Sequence, residues 1–188
     1  MGGVNKEEKI DGTVLESVRS RLPWLVINLF TALLASSVIA RFEGTISKIV
    51  ALSAVMTIIS GMGGNAGTQS LTMVVRALSL NEIDKDNARS ILIKELLAGL
   101  LNGIAIGAMV AGIALFYYFN PWFGLIAGLA MILNMVCAAL SGFLIPIILE
   151  KMHIDPALAS SVFVTTVTDC LGFFFFLGLA TIAMPLLK

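Results

Sequence analysis

The chain has 188 residues, of which 58% are apolar and only 13% charged, with a mean hydropathy of +0.97. That composition excludes a soluble domain and describes an integral membrane protein, so the lipid bilayer is its first partner. Its 12 basic and 12 acidic residues cancel, and the basic ones form no dense patch, which leaves no argument for nucleic acid.

Residues 1–21 are polar, with Val14, Leu15, Val18 and Leu22 at helical spacing. They contain no apolar core followed by a small-residue cleavage site, so they read as an amphipathic cytosolic lead-in, not a signal peptide. Residues 22–188 read as one all-α membrane domain. Apolar windows separated by charged, Pro and Asn punctuation predict five spanning helices, at Pro23 to Ala40, Ile49 to Leu80, Ile91 to Phe119, Trp122 to Leu149 and Pro156 to Leu187. The period-2 alternation of a barrel strand is missing. Several spans exceed the bilayer requirement, which calls for tilt, a break or an extramembrane extension.

Nine of the 12 basic residues (Lys6, Lys9, Arg19, Arg21, Arg76, Lys85, Arg89, Lys94 and Lys151) fall on the side of the N-terminus. Only Arg41, Lys48 and Lys188 fall on the other. The positive-inside rule therefore puts the N-terminus in the cytoplasm of a cell-membrane protein and the C-terminus outside.

The second span contains Gly61-Met62-Gly63-Gly64-Asn65-Ala66-Gly67-Thr68-Gln69-Ser70. Glycine costs about 1 kcal/mol relative to alanine in a helix, so this cluster predicts a helix broken within the membrane. Such a break is tolerated where it lines a wet cavity and exposes backbone oxygens to an ion or substrate. The alternative is that the glycines permit close packing, as the four-residue spacing of Gly99, Gly103 and Gly107 implies for the third span. The segment lacks the Lys-Ser/Thr and the flanking strand of a P-loop. In the third span Glu95 is expected to pair with Arg76, Arg89 or Lys94, or to shape the inner mouth. Cys137 and Cys170 have no disulfide or metal spacing and read as small apolar fillers. His153 reads as a solvated loop residue.

In the fifth span one carboxylate, Asp169, lies in an apolar run with no Lys, Arg or His in the same span. An isolated carboxylate at this depth costs several kcal/mol, and a cation from outside the chain is the simplest partner. The other reading is a protonated or hydrogen-bonded acid that holds helices together. At 100° per residue Leu158, Val162 and Thr165 share the meridian of Asp169, with Asp155 nearby and about 21 Å away along a continuous helix.

Gly63 to Ser70, Val75-Arg76-Ala77-Leu78, Lys94-Glu95, and Asp155-Pro156-Ala157 leading to Thr165-Thr166-Val167-Thr168-Asp169 together resemble the MgtE family of magnesium channels, from Leu22 onward. The resemblance implies a homodimeric divalent-cation channel with its path at the dimer axis, lined by the second and fifth helices. It implies metal-site roles for Asp169, Thr165 and Asp155, and pore-lining roles for Gly64, Asn65, Gln69, Ser161, Val162 and Gly172. Mg²⁺ is then the transported ion, with Mn²⁺ or Ca²⁺ as surrogates. Family members also carry cytosolic acidic and CBS regulatory domains, which this sequence does not contain. One carboxylate per chain does not neutralise a divalent ion, but a two-fold axis beside the fifth helix brings two together.

A divalent-cation secondary carrier and a non-transporting membrane scaffold remain as alternatives. An intramembrane hydrolase does not: His153 lies in a connection, and only one aspartate lies within a span. The chain is therefore not expected to be an enzyme.

Overall fold

The computed structural model describes residues 12–84 and 86–187, with the side chains of 158 and 159 left aside. The first eleven residues of the lead-in, and with them Lys6 and Lys9, lie outside the described residues, as do Lys85 and Lys188.

Thr13-Val14-Leu15-Glu16 supplies the first helix start. Glu16 N–H donates to Thr13 Oγ1 at 3.4 Å and Thr13 N–H donates to Glu16 Oε2 at 3.0 Å, a reciprocal capping box. Helix α1 therefore runs Val14–Ala40 and carries Pro23 inside it, where the sequence had suggested Pro23 as the opening residue. The last part of the lead-in, from Val14, and the first span are one helix, at the cost of the backbone bond that Pro23 cannot donate. A short α2 (Glu43–Ile46) follows, then α3 (Ala51–Ser79), α4 (Ala88–Tyr118), α5 (Pro121–Lys151) and α6 (Pro156–Ile182), closed by a 3-10 turn at Met184–Leu186. Two of these starts share one device. Asn120 Oδ1 accepts from Trp122 N–H at 2.9 Å, Asp155 Oδ1 accepts from Ala157 N–H at 2.9 Å, and a proline fills the first helical position after each.

The predicted break in the second span is not there. Helix α3 is continuous for 29 residues through Gly61 to Ser70. The physical reason is packing: Gly63, Gly67, Ser70, Leu71 and Val74 are buried on one face, and the missing side chains let two other helices approach it. A Cβ on Gly67 would stand 2.5 Å from Val164 Cγ1 of α6, and one on Gly142 of α5 would stand 2.7 Å from the Gly67 carbonyl. That contact offsets the propensity cost. The same principle joins α4 to α5, where a Cβ on Gly107 would meet the Gly128 carbonyl at 2.8 Å and one on Gly124 would meet the Ala111 carbonyl at 2.7 Å. The spacing of Gly99, Gly103 and Gly107 thus serves packing.

The five long helices run alternately up and down. Helix α5 is the hub, packed on α4, α3 and α6, whereas α3 and α4 hardly touch and leave a cleft between them. Helix α1 rests chiefly on α6 and buries only Ala35. Phe42 packs edge-on against Phe174 at 6.2 Å, and the hydroxyls of Thr45 and Thr181 lie 2.8 Å apart. Among the described residues α1, α4, α5 and residues 160–182 of α6 are long and apolar enough to cross a membrane. Helix α3 has the length, but its glycines, amides and hydroxyls keep it out of that set. Both cysteines are free.

Gly142→Ala is expected to lower the thermal unfolding temperature of the detergent-solubilised protein, because its methyl group meets backbone on α3, a cost of about 1–3 kcal/mol. Gly112→Ala in α4, where a Cβ meets nothing within 4 Å, is expected to raise it, by about 1 kcal/mol.

Candidate functional site

Asp169 is the middle residue of α6 (Pro156–Ile182). It is half-buried, and its Oδ1 accepts a short hydrogen bond from the Ser60 hydroxyl of α3. The two helices are antiparallel here, so their contacts descend in register from Ser60 with Asp169, through Gly64 beside Thr165 and Thr168, to Gly67 against Val164. The hydroxyl-bearing face of α6 lies against α3 at Gly64, where a Cβ would make ordinary contact with Thr168 Oγ1 at 3.8 Å and Thr165 Cγ2 at 4.0 Å, and the close approach itself is at Gly67.

Behind this seam stands Asn134 of α5, which is fully buried. Its Nδ2 donates to the Ile59 carbonyl at 2.8 Å. It fills the space that a side chain on Gly63 or Gly172 would need, since a Cβ on Gly172 would stand 2.8 Å from Nδ2. Its Oδ1 is buried with no hydrogen-bond partner among the described residues. Asn134 thus fastens α5 to the residue before Ser60 and sets the distance between α3 and α6.

The hydroxyls around the carboxylate have already committed their protons. Thr165 donates to the Ser161 carbonyl at 3.0 Å and the Val162 carbonyl at 3.1 Å, Thr166 to Val162 at 2.6 Å, and Thr168 to the Thr165 carbonyl at 3.0 Å. On α3, Thr68 donates to the Gly64 carbonyl at 2.8 Å and Thr72 to the Thr68 carbonyl at 2.8 Å. A hydroxyl whose proton is spent inward presents lone pairs outward. Beside one carboxylate, such a surface suits a cation or the water around one. Among the described residues no three His, Cys, Asp or Glu side chains gather into a metal-binding group, so one chain offers a single charge here.

The candidate residues named from the sequence separate into three sets. Asp169, Thr165, Ser161 and Gly64 lie half-buried along the α3–α6 seam, with Asn65 exposed beside it. Val162 and Gly172, expected on the pore wall, are buried inside the helix bundle, Gly172 against Asn134. Their position on the helix turns them toward the neighbouring helices of the same chain. Asp155 caps α6, about 21 Å of helix from Asp169, and Gln69 lines the α3–α4 cleft instead of the seam. Ser60 and Asn134 were not read from the sequence. The signal for Asn134 was present, as it is the only carboxamide between Trp122 and Leu149; Ser60 had none, since its role depends on which helix lies opposite.

The sequence model of the MgtE family, described as a divalent cation transporter, matches residues 56–179, from α3 to α6. The chain belongs to the MgtE family. Among its MgtE relatives, the magnesium transporter MgtE of Bacillus subtilis (strain 168) is 34% identical over 176 residues, covering 94% of this chain and 39% of that protein. The magnesium transporter MgtE of Enterococcus faecalis is 33% identical over 184 residues, covering 98% and 40%. That of Thermus thermophilus is 31% identical over 165 residues, covering 88% and 36%. The chain therefore spans well under half the length of these curated relatives, which are transporters and not enzymes. MgtE membership and the long apolar helices make it a multi-pass membrane protein.

Asn134→Ala is expected to destabilise the fold by about 1–3 kcal/mol, through the lost bond to Ile59 and the void left between Gly63 and Gly172. A lowered unfolding temperature in detergent checks it.

Proposed function

We propose that this chain moves Mg²⁺ across the membrane along the α3–α6 seam, at the axis of a homodimer. The carrying observation is a carboxylate at the midpoint of α6, held by Ser60 and bordered by an exposed polar stripe of α3 comprising Asn65, Thr68 and Thr72. Polar side chains at bilayer depth need either water or a second protein surface. A two-fold axis beside the seam supplies both, and it brings two Asp169 carboxylates to one ion. Mg²⁺ sheds water reluctantly and prefers six oxygens at about 2.1 Å. Two carboxylates, with hydroxyl lone pairs and carbonyls around them, suit an ion that keeps most of its water. Ca²⁺ requires more ligands, and Mn²⁺ serves as a close surrogate.

Ser60 has a positioning role in this scheme. Its hydroxyl fixes one oxygen of Asp169, which orients the other. Thr165 and Ser161 extend the oxygen surface by one and two turns, and Asp155 offers a separate acidic level at the cytoplasmic mouth. The N-terminus lies in the cytoplasm and the C-terminus outside, on the distribution of basic residues. Two charges falling through 100 mV release about 4.6 kcal/mol, so the membrane potential suffices as the driving force. The relatives named as magnesium transporters support the choice of ion.

Mg²⁺ uptake into proteoliposomes under a potential tests this. Asp169→Ala is expected to abolish uptake, and Ser60→Ala to weaken it by roughly tenfold, the scale of one lost charge-assisted hydrogen bond. Uptake unchanged in Asp169→Ala removes the proposal.

A further inference from the structure

The cleft between α3 and α4 holds a second carboxylate that the α3–α6 seam does not use. Glu95, two turns into α4, is half-buried, and its Oε2 accepts from the Ser70 hydroxyl at 2.6 Å. Ser70 is itself buried and stands 3.5 Å from the Ala139 carbonyl of α5. The pairing of Glu95 with Arg76, Arg89 or Lys94 suggested by the sequence does not form, and among the described residues Glu95 has no ion pair. A carboxylate has about four lone-pair positions, and one neutral hydroxyl neither fills them nor balances the charge.

A cavity of about 130 Å³ adjoins it, walled by Gln69 and Ser70 of α3, Glu95 and Asn102 of α4, and Met135 and Ala139 of α5. That volume accommodates an ion with part of its water. Three of the lining side chains carry oxygen able to face a cation: the Glu95 carboxylate, the Gln69 amide and the Asn102 amide. Asn102 is exposed in the run Leu96 to Phe116 of α4, which is otherwise apolar, where an amide has no packing reason to stand. The cavity is separate from the seam, because Ser60 and Ser70 differ by ten residues of α3, about 15 Å of rise and about 80° of rotation.

We infer that this cleft is a lateral binding site for a monovalent metal cation of the Na⁺ type, held by Glu95 with the side-chain oxygens of Gln69 and Asn102. Its charge fixes the class. One carboxylate and two neutral amides neutralise a single positive charge, and no symmetry mate is needed to complete the site. Bound, the ion ties α3 to α4, two helices with little other contact, and it thereby stabilises the fold.

The test follows thermal unfolding of the purified full chain in detergent, with NaCl exchanged for choline chloride at constant ionic strength. Na⁺ is expected to raise the unfolding temperature by a few degrees in the wild type and in Asp169→Asn, and to have no effect on Glu95→Gln. Asn102→Ala and Gln69→Ala, both at exposed positions and so safe for folding, are each expected to raise the Na⁺ concentration needed by roughly tenfold, one lost ligand. The inference is overturned by equal unfolding temperatures in Na⁺ and choline. It is equally overturned by a Na⁺ effect that survives in Glu95→Gln, or by a Glu95-dependent effect of Mg²⁺ with none from Na⁺. The readout involves no transport, so it stands or falls separately from Mg²⁺ uptake.

Discussion

The bond from Ser60 to Asp169 depends on two helices approaching more closely than ordinary side chains allow. Gly67 on α3 removes the side chain that would hold α6 away at Val164, and Gly63 and Gly172 leave room for Asn134 behind the contact. Asn134 in turn bonds to the Ile59 carbonyl, next to Ser60. The carboxylate is thus positioned by glycines on two helices and an amide on a third. Without the close approach, a charge halfway along α6 would have no donor from α3, and its burial cost would stand uncompensated.

Much of this was legible because membrane sequences expose their exceptions. Asp169 stands out as the one carboxylate in its span, and the helix starts at Pro121 and Pro156 follow from Asn120 and Asp155 acting as caps before proline. The capping box at Thr13 was equally readable in the local sequence, but the proline at Pro23 drew the boundary inward. The glycine cluster was ambiguous on its own. Propensity argues for a break and spacing argues for packing, and the three-dimensional arrangement favours packing because Gly63 and Gly67 share one face of α3. What a linear pattern cannot supply is which faces meet. Ser60 and Ser70 differ little as sequence, yet one meets an aspartate on α6 and the other a glutamate on α4. Val162 shares the meridian of Asp169 but lies inside the helix bundle, because neighbouring helices crowd that part of α6.

Helix α3 is accordingly the most constrained element and the least apolar of the five long ones. One edge carries Ser60 and Gly64 toward α6, the opposite edge carries Ser70 toward Glu95, and the surface between them bears Asn65, Thr68 and Thr72. Its hydroxyls bond back to their own backbone, which leaves the helix intact while making its outer surface hydrophilic. A helix of this kind is stable in a membrane only when its neighbours shield it.

The backbone contacts at Gly67 with Gly142 and at Gly107 with Gly128 have a mechanical consequence. With no layer of side chains between them, α3, α4 and α5 have nothing compressible to slide upon, and small displacements meet hard repulsion at once. These three helices therefore form one stiff plate, and a helix of that group swinging singly within the bundle meets backbone at once.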